Sequence, residues 1–425
     1  MKTLKIKVKL TPESQVKAWE LSNYNIEIWN WGNQQRKELL NQGKFISSFD
    51  QCYEIPKLKK LHPEYKECAS QTLQLTLKEL GIAWDNTWKL RKDFPNKNHH
   101  LPRFKSRKYF HTLTFVSGVY FEGNRLYGLN KLNNLITFKS PIDIPYKVFN
   151  NKSGIVKLSY NRGTKDFYLS IPYNDAKEVK TDTKGVIAFD LGIKTLGVGI
   201  DQDKNILEIT NTIKPVAKYF DNCSDKVRSK RDKCKRYSRR YKRLSKVMAK
   251  LQTKKEAQVK TINSKISKSL VKVGYQTIVV GDLDIQDMVV KESELFTNIE
   301  KRINRAIHQQ WLVNRFVNHL SYTASNAGEE VVKINERGTT RTCNNCGHVF
   351  KDGLDPSIRV YNCPDCLISL DRDTNSAINI FNRYQSQKYS CGMNPPMRVT
   401  DTSNFRRATL KVGYNYVGIP NVCYS

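Results

Sequence analysis

The chain carries 425 residues, with 72 Lys and Arg against 40 Asp and Glu for a formal net charge of +32. Such a length exceeds one ordinary core and predicts two or three domains; so positive a field attracts polyanions and makes nucleic acid the leading partner, ahead of a ribosome-like structural role or a merely soluble basic surface. No apolar run approaches the ~18 residues of a membrane-spanning helix, so no membrane partner is expected, while 21 Tyr, 17 Phe and 6 Trp indicate real cores and surfaces on which bases could stack.

The N-terminal MKTLKIKVKL alternates Leu4, Ile6, Val8 and Leu10 with Lys5, Lys7 and Lys9. That is a strand with one basic face rather than a signal peptide's apolar segment, and it implies an intracellular, cytoplasmic protein. Thr11, Pro12 and Glu13 then start a helix expected from about Gln15 to Leu40, carrying Trp19, Leu21, Ile26, Trp29 and Trp31. A second helix is expected through ASQTLQLTLKELGIAWDNTWKLRK, where Leu73, Leu77, Leu80, Ala83 and Trp84 recur at threes and fours, as core packing requires. In LPRFKSRKYF, Arg103, Lys105, Arg107 and Lys108 surround Phe104, which suits a phosphate-contacting loop or a solvated turn. From His111 to Tyr173 the pattern shortens to strand-like pieces, predicting a small β-barrel completed by the N-terminal strand, with the helices inserted into it. The polar, aperiodic NDAKEVKTDTKG is the best domain boundary.

Beyond it, GVIAFDLG, TLGVGID and KNILEIT read as three antiparallel strands. A helical region from about Asp225 to Lys272 follows, then the strand QTIVVGDL, a helix through RAIHQQWLVNRFVNHLSYTASNAG, the strand EEVVKIN and a last helix, SAINIFNRY. This is the ribonuclease H succession. Asp190 ends the apolar run of the first of these strands, and a carboxylate so placed needs a hydrogen-bonding or cationic partner. In the helical region, 11 of the 18 residues from Lys226 to Arg243 are Lys or Arg. Tyr237, Tyr241, Leu244, Met248 and Leu251 recur at fours and threes on a packing face, so Arg236, Arg239, Arg240 and Arg243 are expected on a helix laid along a nucleic-acid backbone rather than merely solvated.

Of the ten cysteines, Cys343, Cys346, Cys363 and Cys366 form C-x2-C-x16-C-x2-C. Two gripping pairs of thiolates match tetrahedral Zn²⁺ with no open position, hence a structural site; iron in a rubredoxin-like site is the alternative. Just after it, Asp371 and Asp373 stand at the mouth of the last helix, where either can N-cap, and where a ribonuclease H arrangement puts an acid across from Asp190.

The stretches GVIAFDLGIKT, TTRTCNNCG, NCPDC and DRDTNSAINI resemble the TnpB family, RNA-guided nucleases encoded by bacterial insertion sequences and related to type V CRISPR nucleases; LPRFKSR and TLQLTLKELGIAW resemble the family's recognition half. The resemblance implies an α+β multidomain chain. A wedge β-barrel would occupy residues 1–14 and 111–175, a helical recognition insertion 15–110, an RNase H-like RuvC nuclease domain 176–338 and 371–385, and an inserted zinc ribbon 339–370. It also implies a guide RNA, a double-stranded DNA target beside a short flanking motif, Mg²⁺-dependent cutting, and association with the nucleoid when bound to DNA. The tail, 386–425, has no clear periodicity, and disorder is expected for much of it.

One position departs from the family pattern: Gly281 stands where family members carry a catalytic Glu. Asp282 is adjacent, but successive strand residues point to opposite faces. Glu336, at the end of the last strand, is the better replacement, since a neighbouring strand starts only ~4.8 Å away and a side-chain-free residue leaves the gap open. The alternative for Glu336 is a surface ion pair with Arg337 or Arg341. The resulting expectation is a catalytic set of Asp190, Glu336 and Asp373 holding Mg²⁺, with Asp282 as second choice for the middle acid. The rival is a nuclease-dead RNA-guided DNA-binding repressor; a strand-joining transposase is weaker, because nothing resembles a joining nucleophile.

Overall fold

The computed structural model describes residues 2–116, 120–122, 125–128, 136–139, 148, 154–174, 184–282, 312–351, 354, 358–388, 396–403 and 405–410. The chain divides into two compact units, Met1–Ala176 and Lys177–Ser425, and the division falls within the polar stretch expected as a boundary.

In the first unit, β1 (Lys2–Leu10) buries Ile6, Val8 and Leu10 on one face and exposes lysines on the other, as its alternation requires. Over Lys2–Val8 it pairs with β7 (Asp166–Tyr173), and over Lys9–Leu10 with β5 (Ile136–Lys139). With β2 (Leu113–Phe115), β3 (Tyr120–Glu122), β4 (Arg125–Gly128) and β6 (Val156–Asn161), this gives a seven-stranded antiparallel sheet in the order β2-β6-β7-β1-β5-β4-β3. β2 and β3 form its edges, so among the described residues the ladder is open rather than a closed barrel.

Between β1 and β2 lie α1 (Pro12–Asn41), α2 (Ser48–Tyr53), α3 (Ile55–Leu61) and α4 (Ser70–Asp93). Thr11 caps α1, its hydroxyl accepting from Ser14 N, with Pro12 at the first helical position. Ala18, Leu21 and Ile28 of α1 and Leu73 and Leu77 of α4 share one core with the β1 stripe. Gly32 keeps the two helices close, since a Cβ there would lie 3.1 Å from Leu80 and closer still to Leu77.

The second unit is built on a sheet of β8 (Lys184–Asp190), β9 (Thr195–Asp201), β10 (Ile206–Thr210), β11 (Tyr275–Gly281), β12 (Glu330–Ile334) and β15 (Arg407–Leu410), in the order β12-β11-β8-β9-β10-β15. β8, β9 and β10 are antiparallel neighbours; β11 runs parallel to β8, and β12 parallel to β11. Ile187, Phe189 and Val280 face α5 (Ile213–Asp232), α6 (Arg239–Val273) and α7 (Val313–Asn326). Ala188 and Val279 face α8 (Arg372–Lys388). The strand pair β13 (Val360–Asn362) and β14 (Ser369–Asp371) leads into α8.

Two features differ from expectation. The basic helical region is not one helix: α5 ends at Asp232 and α6 starts at Arg239, with Tyr237 between them at φ +67 and Ser238 capping α6 by accepting from Tyr241 N. Its cations therefore straddle the tip of a helical hairpin. The tail is also partly built in: Val399 is buried and its backbone N donates to Asn344 Oδ1 (2.9 Å), and β15 adds a parallel strand to the edge of β10. Residues 305–311 of the expected helix before β12 lie outside the described residues.

Candidate functional site

Strand alternation decides which side chains meet. Ala188 lies on the α8 face, so Asp190, two residues on, points the same way; by the same period Gly281 follows Val279 to that face and Asp282 turns from it. The register pairs Val280 with Phe189 and Gly281 with Ile334, so β8, β11 and β12 end level with one another. Glu336 follows two residues beyond Ile334 and folds back over Gly281: a Cβ built at 281 would fall inside the Glu336 carboxylate and 3.1 Å from its Cβ. Asp282 instead is exposed, with its carboxylate 3.7 Å from Lys333 Nζ. The alternative, an ion pair of Glu336 with Arg337 or Arg341, does not occur among the described residues, and Glu336 Oε2 is buried with no hydrogen-bond partner.

Asp371 and Asp373 divide their two expected roles. Asp371 accepts from Thr374 N at 2.9 Å and Thr374 Oγ1 at 3.2 Å, which caps α8. Asp373, in the first turn, is released to the cluster and is flanked by Arg359 Nη1 and Arg372 Nη2, each at 3.4 Å. Burial pushes the Asp190 carboxyl up to about 8, and the charges of Glu336 and Asp373 push the same way, while Arg372 and a hydrogen bond from Ser376 oppose them. Burial, with the charge of Asp282, pushes Glu336 up to about 7. Asp190 thus feels both Glu336 and Asp373, and one buried Glu336 oxygen lacks a partner, although among the described residues the cysteines alone bring three or more ligand atoms within 4.8 Å of one another. Hard oxygen donors in this state suit a divalent cation.

Ser376 was not singled out as a site residue by the sequence. It is fully buried on α8, bonds Asp190, and its Oγ lies 3.1 Å from Thr339 Oγ1 and 3.3 Å from Thr340 Oγ1. Thr339 Oγ1 in turn donates to the Glu336 carbonyl at 2.8 Å. One hydroxyl therefore links the Asp190 strand to the Glu336 turn. Its signal in the sequence was a polar residue where the helix pattern calls for an apolar one.

The cysteines form the second cluster. Their four sulfurs lie within 4.8 Å of one another, with Cys343 Sγ 3.7 Å from Cys366 Sγ and Cys346 Sγ 3.5 Å from Cys363 Sγ. Two equivalent turns present them: Gly347 N donates to Cys343 O and Leu367 N to Cys363 O, both at 3.1 Å, with φ of +81 at Gly347 and +57 at Leu367. Such a cluster could hold one tetrahedral Zn²⁺. Asn375 and Asn379 tie it to α8, donating to the carbonyls of Thr342 and Thr339.

Among the expected nucleic-acid contacts, Arg103 is exposed and Arg107 pairs with Glu27 at 2.6 Å. Lys105 corrects the expectation. Its Nζ sits 3.2 Å from the Trp29 ring centroid and 3.1 Å from His111 Nδ1, because Asn30 bonds its backbone at both N and O and turns the side chain inward. Burial lowers its ammonium to about 8, so it serves the core rather than a phosphate. Arg236, Arg239, Arg240 and Arg243 lie at the hairpin tip, all four exposed, beside Tyr237 and Tyr241.

Comparisons with known proteins bear on both clusters. Residues 314–380 match the family model described as "Cas12f1-like, TNB domain", and residues 170–291 match OrfB_IS605, described as "Probable transposase". A TnpB-like protein of Acanthamoeba polyphaga mimivirus is 26% identical over 230 residues, 53% of this chain and 42% of that protein, so the chain spans less than half the length of this relative. The TnpB-like protein MJ0751 of Methanocaldococcus jannaschii is 26% identical over 277 residues, 62% of this chain and 92% of its own. Among solved structures, a Cas12f1–sgRNA–target DNA complex aligns with a TM-score of 0.53 and 15% identity over 88% of this chain and 83% of that one. The mini-RNA-guided endonuclease CRISPR-Cas_phi3 aligns with a TM-score of 0.50 and 12% identity over 93% of each. These likenesses are of fold. Together with the sheet and the two clusters they define an α+β protein of the Cas12f-like, transposase-associated class. Within that class, the chain is similar in sequence to TnpB-like proteins.

Proposed function

We propose that the chain is an RNA-guided DNA endonuclease of an insertion sequence, cutting double-stranded DNA next to a short flanking motif by Mg²⁺-dependent hydrolysis. The observation that carries this is the approach of Glu336 over the bare backbone of Gly281, beside Asp190 and within reach of Asp373's charge. Under this proposal the second unit's sheet is a RuvC domain of ribonuclease H type spanning 176–338 and 371–385, and 339–370 is a zinc ribbon. In the first unit, 1–14 and 111–175 act as the wedge and 15–110 as the recognition insertion. The Cas12f1 relative was solved with an sgRNA and target DNA, which supports both partners here.

Asp190, Glu336 and Asp373 would hold Mg²⁺, and Cys343, Cys346, Cys363 and Cys366 Zn²⁺. Bound Mg²⁺ supplies charge neutralisation on both sides of the scissile phosphorus. The chain's own groups do the rest: Ser376 fixes the Asp190 carboxylate, Thr339 pins the turn that carries Glu336, and Arg359 and Arg372 steady Asp373. Sequence choice would come from guide pairing, the protein reading the flanking motif alone.

The test is to purify the protein with its cellular RNA, sequence that RNA, and assay a matching plasmid library with Mg²⁺ or EDTA. Cutting with Mg²⁺ alone is expected, and cutting that persists in EDTA overturns the mechanism. Glu336→Ala at the wild-type rate would overturn the third acid, with Asp282→Ala compared beside it. Gly281 itself favours one other function, a guided binder that represses without cutting; specific RNA and target binding with no cleavage would select it.

A further inference from the structure

β1 is the fourth of seven strands in the sheet of the first unit, and its inward face is fully used: Ile6, Val8 and Leu10 share a core with Leu158, Leu169 and Ile171. The outward face is the unusual one. Lys5, Lys7 and Lys9 take successive outward positions, and all three are exposed. Lysine on a strand ordinarily guards a sheet edge against pairing with another chain. A central strand has both ladders filled and no edge to guard.

The register sets these cations against one another. Lys9 stands directly opposite Lys139 of β5, both exposed, and like charges so placed are destabilising. On the other side, Ser170 of β7 lies opposite both Lys5 and Lys157 of β6, so these two lysines share one cross-strand row. Opposite charges across strands would stabilise the sheet. Instead, the outward positions of β1, β5, β6 and β7 carry five lysines and one acid, Asp166, which already holds Lys7 at 2.7 Å. Lys5 Nζ rests 5.2 Å from the Tyr168 ring centroid, and among the described residues no carboxylate pairs with Lys5, Lys9, Lys139 or Lys157. Repulsion of this kind is relieved by an anion. Cations recurring about every 6.8 Å along an extended strand fit an anion of regular repeat, as the successive phosphates of a nucleotide chain are.

We propose that this sheet face binds one phosphodiester backbone, laid along β1 from Lys157 and Lys5 past Lys7 to Lys9 and Lys139. The proposal rests on the nucleic-acid reading above and deepens it by giving the first unit a phosphate track of its own, separate from the arginines of the α5–α6 hairpin. A lipid surface offers negative charge without that linear repeat.

Full-length protein, freed of bound nucleic acid in high salt, is titrated without Mg²⁺ against labelled single-stranded RNA, single-stranded DNA and duplex DNA over a range of salt, following anisotropy. Replacing Lys5, Lys9 and Lys139 together by Gln should make the plot of log affinity against log salt shallower, by up to about 0.7 per lysine on a single strand and about 0.9 on a duplex. Replacing Lys44, Lys57 and Lys60, likewise exposed but on the helical insertion, removes the same charge and should change the slope much less. The nucleic acid whose slope falls most is the one that runs along β1. Lys9→Gln also removes a repulsion, so its melting temperature should be no lower than the parent's, and a loss of affinity is then not a loss of fold. Equal slopes in the two triple variants overturn the track, because the lysines then act through net charge alone. An unchanged slope, with binding to phosphatidylserine vesicles lost instead, overturns it in favour of a lipid surface. If the track fails while the parent still binds nucleic acid, the guided reading stands; if the parent binds none, that reading fails as well.

Discussion

Gly281 and Glu336 compete for one volume, and that competition is the most exact statement the molecule makes about its acid cluster. Gly281→Ala adds one carbon where the Glu336 carboxylate sits; cleavage should fall roughly 10–100-fold, as for loss of a metal site's orienting contacts, while the melting temperature moves little. Ser376→Ala removes the hydroxyl between Asp190 and Thr339, and the Mg²⁺ concentration for half-maximal cutting should rise about tenfold, with Ser376→Thr closer to the parent; titration with Mn²⁺ by calorimetry checks the same affinity without turnover. A third residue carries a pH dependence. Burial and the neighbouring Lys105 lower the His111 imidazole from 6.5 to about 4. The unfolded chain therefore binds more protons than the folded one between those values, so stability falls as pH drops from 6.5 towards 4 and is unaffected above. The loss should be on the order of 2–3 kcal/mol, read from urea midpoints at pH 7 and 4.5, and His111→Gln should flatten it. Period-two alternation made the inward turn of Asp190 and Gly281 legible in the sequence. The inward turn of Lys105 was not, because it depends on Asn30, 75 residues away, bonding both sides of its backbone.

At the level of elements, the α5–α6 hairpin joins a predominantly cationic tip to a packed base. Near the base Lys255 Nζ meets Asp221 Oδ1 at 2.7 Å, with side-chain exposures of 9% and 10%. Breaking a buried pair strands a charge, so Lys255→Met or Asp221→Leu alone should cost about 3–5 kcal/mol, whereas the double variant, which buries no charge, should lie near the parent. Chemical denaturation of the three proteins gives the coupling directly. Sequence periodicity identified helix on both sides of this pair but not the break: Tyr237 in the left-handed region is a backbone decision imposed by the turn, in a residue type that gives no warning. β15 was hidden for a similar reason. Its edge pairing with β10 needs only backbone groups, so RATL carries no alternation to betray it. The cysteine knuckles stood out, since metal ligation demands particular atoms at particular spacings.

For the molecule as a whole, a formal charge of +32 is compatible with many polyanions, and what separates a binding surface from a charged one is where the charge sits and whether acids neutralise it. In the stretch from Lys226 to Arg243 only Asp232 opposes 11 cations, and that carboxylate is already taken by Arg231 at 2.7 Å. The hairpin tip is therefore an uncompensated field, and proteins that bind through such fields release condensed counterions. Replacing Arg236, Arg239, Arg240 and Arg243 together by Ala should lower affinity for RNA and for DNA alike. It should also make the plot of log affinity against log salt shallower, by up to about 0.9 for each arginine that meets a phosphate on a duplex and about 0.7 on a single strand. Because the change acts on phosphate contacts, it should weaken all sequences equally and leave the melting temperature in place. A parallel salt titration of Lys105→Ala should show an unchanged slope, since that ammonium faces Trp29 rather than solvent. A slope unaltered by the four replacements would mean that these cations meet no phosphate, and that the nucleic acid lies along another part of the surface.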